Sequence, residues 1–271
     1  MCMTDFVFID SGVGGIPYMT NLIKREPAAS CVYVADTANF PYGEKSHSEV
    51  VSCVLELVKK IQARFSPAVI VVACNTMSVN ALDELRASFP SVSFVGTVPA
   101  IKLAESVSKK RRIGLLATKA TCENPYNLEL KEKFAADCTI INRADPELIS
   151  YIEHNVFTAS REECLAAVKP AVDFFRSQDC DVIILGCTHF LNITDIFREA
   201  CGPDLQVVDS VDGVVRHSLE VRWPEGELPE SSESQPSAQP SLFVTGFADN
   251  DEKAQFDALC AKFGLAFAGV I

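Results

Sequence analysis

The sequence predicts an α/β protein built on parallel sheets. Short apolar runs rich in β-branched residues alternate along the chain with segments of helical period. Two of these runs, Val69–Ala73 and Val182–Gly186, end in a small residue and are followed by a cysteine and by hydroxyl or amide side chains. Such runs are typical of strands buried on both faces of a parallel sheet. Because open α/β sheets bind ligands at the carboxyl ends of their strands, we expect Cys74 and Cys187 to lie at ligand-binding edges.

Apolar runs predict strands in the first part of the chain, and the segments between them predict helices. Val50, Val54, Leu57, Val58 and Ile61 recur at helical spacing and predict one buried helix face. The predicted strands are Phe6–Ile9, Cys31–Ala35, Val69–Ala73 and Ser93–Val95. Four helices are predicted between and after these strands. The first ends near Arg25, the second begins near Ser48, the third covers Ser78–Phe89 and the fourth opens at Thr97–Pro99.

The alternation restarts after the basic cluster Lys109–Arg112. The strands predicted there are Ile113–Ala117, Thr139–Ile141, Val182–Leu185, Gln206–Val208 and Leu242–Val244. The predicted helices are Pro146–Asn155, Glu162–Ser177, a segment ending near Val221, and Ala254–Phe263. The restart predicts two doubly wound, flavodoxin-like lobes related by pseudo-two-fold symmetry, with the active site between them. We expect residues 1–97 and 209–271 to form the first lobe and residues 98–208 to form the second.

The segment 224–241 differs in composition from the rest of the chain. It combines glutamates, prolines and serines and contains no basic residue. Such a composition cannot bury a core, so we expect a flexible acidic segment inserted into the first lobe.

Composition narrows the class of protein. Of the 271 residues, 48% are hydrophobic and 22% charged, as in globular proteins, and we expect neither a membrane span nor a secretory signal. The formal net charge of -12 argues against a nucleic-acid partner. The eleven cysteines include no CxxC pair that would suggest zinc, and without an export signal we expect them to be reduced thiols rather than a disulfide framework.

The two strand-end cysteines are the strongest candidates for chemistry. A helix N-terminus stabilises a thiolate, which makes a base or nucleophile available near neutral pH. Asn75, Thr76 and Thr188 follow the cysteines and could either cap the helices or bind a carboxylate ligand. Asp10, Ser11 and Asp36 end two other strands, and His189 follows Thr188. The turn Gly12–Gly15 is not a complete dinucleotide-binding motif.

At this point the motifs are similar to those of a known family. The chain resembles the glutamate racemases, the cofactor-independent branch of the aspartate/glutamate racemases. The motifs that carry this resemblance are Phe8–Gly15, Ala35–Ser46, Val72–Thr76 and Leu185–His189. The resemblance departs at Phe190-Leu191, where the family usually has Tyr-Pro, and at His154-Asn155 after Glu153.

The resemblance implies interconversion of L- and D-glutamate by two thiols, without a cofactor or metal. One thiolate would remove the α-proton and the other thiol would protonate the opposite face, with Cys74 acting on D-glutamate and Cys187 on L-glutamate. It further implies a cytoplasmic homodimer that supplies D-glutamate for peptidoglycan. The residues it places in catalysis are Cys74, Cys187, Asp10, His189, Asp36 and Glu153. The residues it places in substrate binding are Asp10, Ser11, Pro41, Tyr42, Gly43, Asn75, Thr76, Thr118, Thr121, Thr188 and His189.

Three other functions remain open at the level of sequence. An aspartate racemase is the nearest, although such relatives tend to carry a glutamate at the position of His189. A two-lobed amino-acid binding protein would need no paired thiols. A cysteine hydrolase could use Cys187 and His189, but we expect residues two apart not to form a nucleophile–base pair.

Overall fold

The computed structural model describes residues 4–156, 158–224 and 239–271. The chain divides into two compact units, Met1–Thr97 with Val211–Ile271 and Val98–Ser210. Each unit has one sheet in which all neighbouring strands are parallel, and helices separate the strands along the chain. The α/β fold with two parallel sheets is therefore confirmed.

The first unit contains a six-stranded sheet of order β10-β9-β2-β1-β3-β4. Its elements are β1 (Phe6–Asp10), α1 (Ile16–Arg25), β2 (Cys31–Ala35), α2 (His47–Phe65), β3 (Val69–Val72), α3 (Asn75–Ser88), β4 (Ser93–Gly96), α10 (Val211–Arg222), β9 (Ser241–Val244), α11 (Asn250–Phe263) and β10 (Ala266–Val270). Every residue of β1 and β3 is buried, as expected for central strands that are covered on both faces.

The second unit contains a four-stranded sheet of order β6-β5-β7-β8. Its elements are α4 (Ile101–Val107), β5 (Arg112–Ala117), α5 (Lys119–Glu123), α6 (Tyr126–Phe134), β6 (Thr139–Ala144), α7 (Pro146–Asn155), α8 (Arg161–Ser177), β7 (Val182–Leu185), α9 (Thr194–Cys201) and β8 (Gln206–Val208). The edge strand β6 is largely exposed, whereas β7 is fully buried.

The two sheets share one topological core. In sequence order within each unit, the strands β2-β1-β3-β4 and β6-β5-β7-β8 both follow the order 2-1-3-4. In this order the second and third strands lie on opposite sides of the first strand, so the topological switch point falls between the first and third strands. Ligands of open α/β sheets bind outside the carboxyl ends of the strands at that point. Ser11 follows the first strand of one core and Cys74 lies two residues after its third strand, while Thr118 and Cys187 hold the equivalent places in the other.

Helix α2 shows how local sequence sets the bounds of an element. Ser46 and Glu49 form a capping box, in which each side chain bonds the backbone N–H of the other residue. Ser66 ends the helix in the left-handed conformation. The apolar face predicted from Val50 to Ile61 is buried and packs against strands β1 and β3, so that prediction is confirmed.

Several predicted bounds were wrong. Helix α3 begins at Asn75 and not at Ser78, because Cys74 is already its N-terminal cap residue. Helix α4 begins at Ile101 and not at Thr97–Pro99, because a proline disfavours the helical conformation of the residue before it. Helices α5 and α6 and strand β10 were not predicted. Strand β10 is a partly exposed edge strand with a register shift and Gly269 at positive φ, which weakens its sequence pattern.

Most of the predicted acidic segment lies outside the described residues, since residues 225–238 are not described. The end of that segment is structured, because Ser241 is the first residue of β9. The cysteines of the described part of the chain are free thiols. Among the residues that the structure describes, no helix combines the length and apolarity needed to cross a membrane.

Candidate active site

The first cluster of candidate site residues lies at the carboxyl edge of the first unit's sheet. Cys74 follows β3 and is 5% exposed, and Ser11 follows the neighbouring strand β1. Ser11 Oγ lies 4.0 Å from Cys74 Sγ and 3.5 Å from Asp10 Oδ1. The parallel pairing of β1 with β3 brings these three residues to one edge of the sheet, so the Ser11 hydroxyl lies between the thiol and the Asp10 carboxylate.

Asp10 is completely buried, and both of its carboxylate oxygens accept hydrogen bonds. The backbone N–H of Ser11 donates to Oδ1 at 2.7 Å, and the backbone N–H of Gly15 donates to Oδ2 at 2.8 Å. The hydroxyl of Tyr33 lies 3.1 Å from Oδ2. The glycine-rich turn therefore wraps around a carboxylate of its own chain.

Cys74 is also the N-terminal cap residue of α3, and polar residues form the first turn of that helix. Asn75 and Thr76 are 3% and 2% exposed. Asn75 Oδ1 has no hydrogen-bond partner among the described residues. A buried acceptor without a donor is unfavourable, so this oxygen is suited to an N–H group of a ligand.

Asp36 follows β2 and holds the loop that contains Tyr42. Its carboxylate accepts the Tyr42 hydroxyl, a bond from Asn39 Nδ2 to each oxygen at 3.1 Å, and a bond from Thr245 Oγ1 at 2.7 Å. Burial, followed by the charge of Asp36, raises the pKa of Tyr42, so its phenol stays protonated. Pro41 and Gly43 flank Tyr42 and are half-buried. The structure thus joins Asp36 to Tyr42.

The second cluster of candidate site residues, in the second unit, contains a line of three polar groups. Cys187 Sγ lies 3.4 Å from Nδ1 of His189, and Nε2 of His189 lies 2.8 Å from Oε2 of Glu153 on α7. His189 is 3% exposed. Burial alone lowers the pKa of His189, but the charges of Cys187 and Glu153 outweigh it and raise the pKa well above its ordinary value. An imidazolium beside the thiol would stabilise a thiolate.

The turn after Cys187 differs from the turn after Cys74. Residues Thr188–Ile193 form a 3-10 helix before α9 begins, so Cys187 does not precede an α-helix as Cys74 does. The same tight turn brings the side chains at positions 187 and 189 into contact, a proximity that the spacing of two residues did not predict. Thr188, between them, is buried.

Thr118 and Thr121 open the short helix α5 after β5. Thr118 Oγ1 accepts the backbone N–H of Thr121 at 3.1 Å and lies 3.0 Å from the Thr121 hydroxyl. Asn127 Nδ2 donates to the carbonyl of Thr121 and fixes this turn. Burial raises the pKa of the next residue, Cys122, to about 11, and the charges of Glu123 and Cys187 add to this.

Sequence reasoning missed three groups that hold the predicted site residues. Tyr33 bonds Asp10, and Asn39 and Thr245 bond Asp36. Tyr33 lies within an apolar strand and has the pattern of a core residue, and Thr245 is far from Asp36 in sequence. In the described part of the chain, no three His, Cys, Asp or Glu side chains are grouped as metal ligands.

Comparisons with known proteins agree with this fold. The Asp/Glu/Hydantoin racemase family matches residues 17–218. A glutamate racemase of Treponema pallidum is 40% identical over 266 residues, covering 98% of this chain and 96% of its own. One from a Shewanella species is 36% identical over 207 residues, covering 76% of this chain and 75% of its own. The crystal structure of Escherichia coli glutamate racemase, in complex with L-glutamate and the activator UDP-MurNAc-ala, superimposes with a TM-score of 0.83 at 28% identity and covers 99% and 98% of the two chains.

The family match covers most of the chain, and the Treponema relative covers nearly all of it. A binding protein without catalysis and a cysteine hydrolase are therefore set aside. The chain belongs to the Asp/Glu/hydantoin racemase family and is an amino-acid racemase, an isomerase.

Proposed function

We propose that this chain interconverts L- and D-glutamate by moving the α-proton between two thiols, those of Cys74 and Cys187. The observation that carries the proposal is the equivalence of the two cysteines. Each follows the third strand of a 2-1-3-4 sheet core, and each has an acidic residue in its surroundings. Inverting a carbon centre by proton transfer requires an acid and a base that act on opposite faces. Two matched thiols meet that requirement, and the proposed reaction uses no cofactor.

Each thiol is proposed to work with its own polar partners. His189, held by Glu153, stabilises the Cys187 thiolate that acts on L-glutamate. Ser11 and Asp10 serve Cys74, which acts on D-glutamate. A Cα proton is weakly acidic, so placed hydrogen-bond donors must stabilise the carbanion that forms. The proposed roles therefore assign three polar groups to each of the two clusters.

The remaining polar residues are proposed to hold the amino acid. The buried Asn75 oxygen without a donor is suited to the substrate ammonium, and the first turn of α3 is suited to its carboxylate. In the second unit the hydroxyls of Thr118, Thr121 and Thr188 are proposed to contact substrate. Pro41, Tyr42 and Gly43 complete the set in the first unit.

Glutamate is proposed as the substrate in preference to aspartate. The Treponema and Shewanella relatives are named glutamate racemases, and the E. coli structure holds L-glutamate. His189 after Thr188 also agrees with glutamate. Exchange of the α-proton in deuterated water, measured side by side for L-glutamate and L-aspartate, tests this choice. We expect faster exchange with glutamate, and faster exchange with aspartate would make this an aspartate racemase.

The two-thiol mechanism is tested by removing each thiol separately. Cys74→Ala and Cys187→Ala should each abolish racemisation, because one base alone cannot invert the centre. Cys180 and Cys31 offer matched controls, since both are buried and lie at the amino ends of β7 and β2. Cys180→Ala and Cys31→Ala should retain activity. Racemisation that survives in Cys74→Ala would refute the mechanism.

We also propose a physiological setting. The activator in the E. coli structure, UDP-MurNAc-ala, is a cell-wall precursor, which supports a role in supplying D-glutamate for peptidoglycan in the cytoplasm. Depleting the protein should make growth depend on added D-glutamate.

A homodimer is proposed for the assembly. Analytical ultracentrifugation of the full chain should give the mass of a dimer.

A further inference from the structure

Tyr33 makes an unusual set of contacts beneath the glycine-rich turn. It lies in β2 and is completely buried, as is Asp10. Its hydroxyl lies 3.1 Å from Asp10 Oδ2 and 3.1 Å from the carbonyl oxygen of Gly12, and it accepts the backbone N–H of Gly15 at 3.0 Å. The phenol thus reaches one charged acceptor, one neutral acceptor and one donor.

A phenol has a single proton, so it can donate to only one of the two acceptors at a time. While Asp10 is a carboxylate, the charged oxygen is the stronger acceptor and the phenol donates to it. If a proton arrives on Asp10 Oδ2, that O–H can donate to the phenol oxygen, and the phenol can turn its own proton to the Gly12 carbonyl. Every proton keeps an acceptor in both states, so Asp10 can change its charge without leaving a donor unpaired.

This network is tightly packed against the residue that precedes Cys74. A Cβ atom on Gly15 would lie 2.6 Å from the carbonyl oxygen of Ala73 and 2.9 Å from the hydroxyl of Tyr33. The turn is therefore confined between Tyr33 and the end of β3. Ser11, which lies 3.5 Å from Asp10 Oδ1 and 4.0 Å from Cys74 Sγ, connects the network to the thiol.

We propose that Tyr33 is a positioning residue that stabilises the ionised form of Asp10 and so sets the pH range in which Asp10 supports proton transfer at Cys74. This rests on the proposed function, in which Asp10 assists Cys74. Tyr33 does not touch substrate in this role. Tyr33 acts on the reaction only through Asp10. A change at Tyr33 should therefore alter the pH dependence of the reaction more than its maximum rate.

The test measures kcat/KM in both directions between pH 5 and 9 for the full-length chain. Tyr33→Phe removes the donor, so the ionised form of Asp10 loses a charge-assisted hydrogen bond. The acidic limb of the kcat/KM profile should therefore move to higher pH by about one unit. At pH 8.5, above that limb, kcat/KM should stay within about threefold of the wild-type value. An acidic limb that stays in place would overturn the proposal.

A second variant tests the opposite direction with a small change in shape, a fluorine in place of one ring hydrogen. Tyr33→3-fluorotyrosine makes the phenol a stronger donor, so the acidic limb should move to lower pH. This variant remains informative if Tyr33→Phe fails to fold. Movement of the limb in the same direction for both variants would contradict the proposal, because donor strength would then not control it.

Ile70→Val is a matched control for lost packing. Ile70 is a buried residue of β3, and its register partner in β1 is Val7, three residues before Asp10. This change should lower the melting temperature while leaving the acidic limb in place. A merely structural role for Tyr33 would give the same pattern in Tyr33→Phe. If the wild-type chain did not racemise glutamate at all, the proposed function would fail before Tyr33 was tested.

Discussion

Glu153 Oε2 lies 2.8 Å from Nε2 of His189, and the other ring nitrogen of His189 lies 3.4 Å from Cys187 Sγ. The imidazole therefore bridges two groups that are negative when ionised, and both raise the pKa of His189 against the effect of burial. The departure from the family motif after Glu153, at His154-Asn155, leaves this bridge in place. The line formed by Cys187, His189 and Glu153 therefore predicts how activity depends on pH and how the stability of the fold depends on pH.

Glu153→Gln should narrow the pH range of activity from the alkaline side. Without the carboxylate, the pKa of His189 falls toward its ordinary value, so the imidazolium that stabilises the Cys187 thiolate is lost at lower pH. The alkaline limb of the kcat/KM profile should therefore move to lower pH, with a loss of about tenfold above that limb. Glu147→Gln on the same helix is the control, since Glu147 lies in its first turn and is exposed. An unchanged alkaline limb in Glu153→Gln would show that Glu153 does not act on His189.

The same pair predicts how stability depends on pH. A histidine whose pKa is raised on folding contributes stability that is fully present below its ordinary pKa of about 6.5 and is lost as the pH rises through the folded value. The difference in melting temperature between wild type and Glu153→Gln should therefore stay constant below about pH 6.5 and shrink as the pH rises from there through the folded pKa of His189. Thermal unfolding monitored by circular dichroism measures it. A difference that grows with rising pH would mean that the pKa of His189 is lowered on folding.

Two glycines in the first unit predict opposite effects of the same substitution. A Cβ at Gly15 would lie 2.6 Å from the Ala73 carbonyl oxygen, so Gly15→Ala must displace the backbone just before Cys74. We expect a loss of about 1–3 kcal/mol in unfolding free energy and a strong loss of activity. Gly213 lies in α10 with open space around it, so Gly213→Ala should be neutral or stabilise by up to about 1 kcal/mol. Urea unfolding of both variants measures the two changes in unfolding free energy. A stable, active Gly15→Ala would contradict the close approach of position 15 to the Ala73 carbonyl oxygen.

The fold and the strand-end thiols could be predicted because both leave local signals. A buried central strand must be apolar along its whole length, and a polar residue just after it stands out, as Cys74 does after β3. The apolar face of α2 was predicted for the same reason. Strand β10 gave a weak signal, because an irregular edge strand is only partly buried.

The partners of the site residues could not be predicted from local sequence. Thr245 reaches Asp36 across 209 positions, because β9 pairs with β2 only in the folded sheet. The contact between Cys187 and His189 depends on a 3-10 helix that the sequence pattern did not distinguish from an α-helix. Residues that look like core or loop positions, such as Tyr33 and Asn39, acquire their roles through tertiary contacts.

Asp36 and Tyr42 predict a test that separates binding from catalysis. The Tyr42 hydroxyl donates to a carboxylate that Asn39 and Thr245 also hold, so Asp36 should fix the substrate-binding loop. Asp36→Asn and Tyr42→Phe should each raise KM about tenfold and change kcat less. The double variant should be little worse than either single change, with a coupling energy of about 1–2 kcal/mol, because both remove the same contact. If Asp36 takes part directly in proton transfer, as its family position implies, Asp36→Asn should instead lower kcat at unchanged KM and add to the effect of Tyr42→Phe.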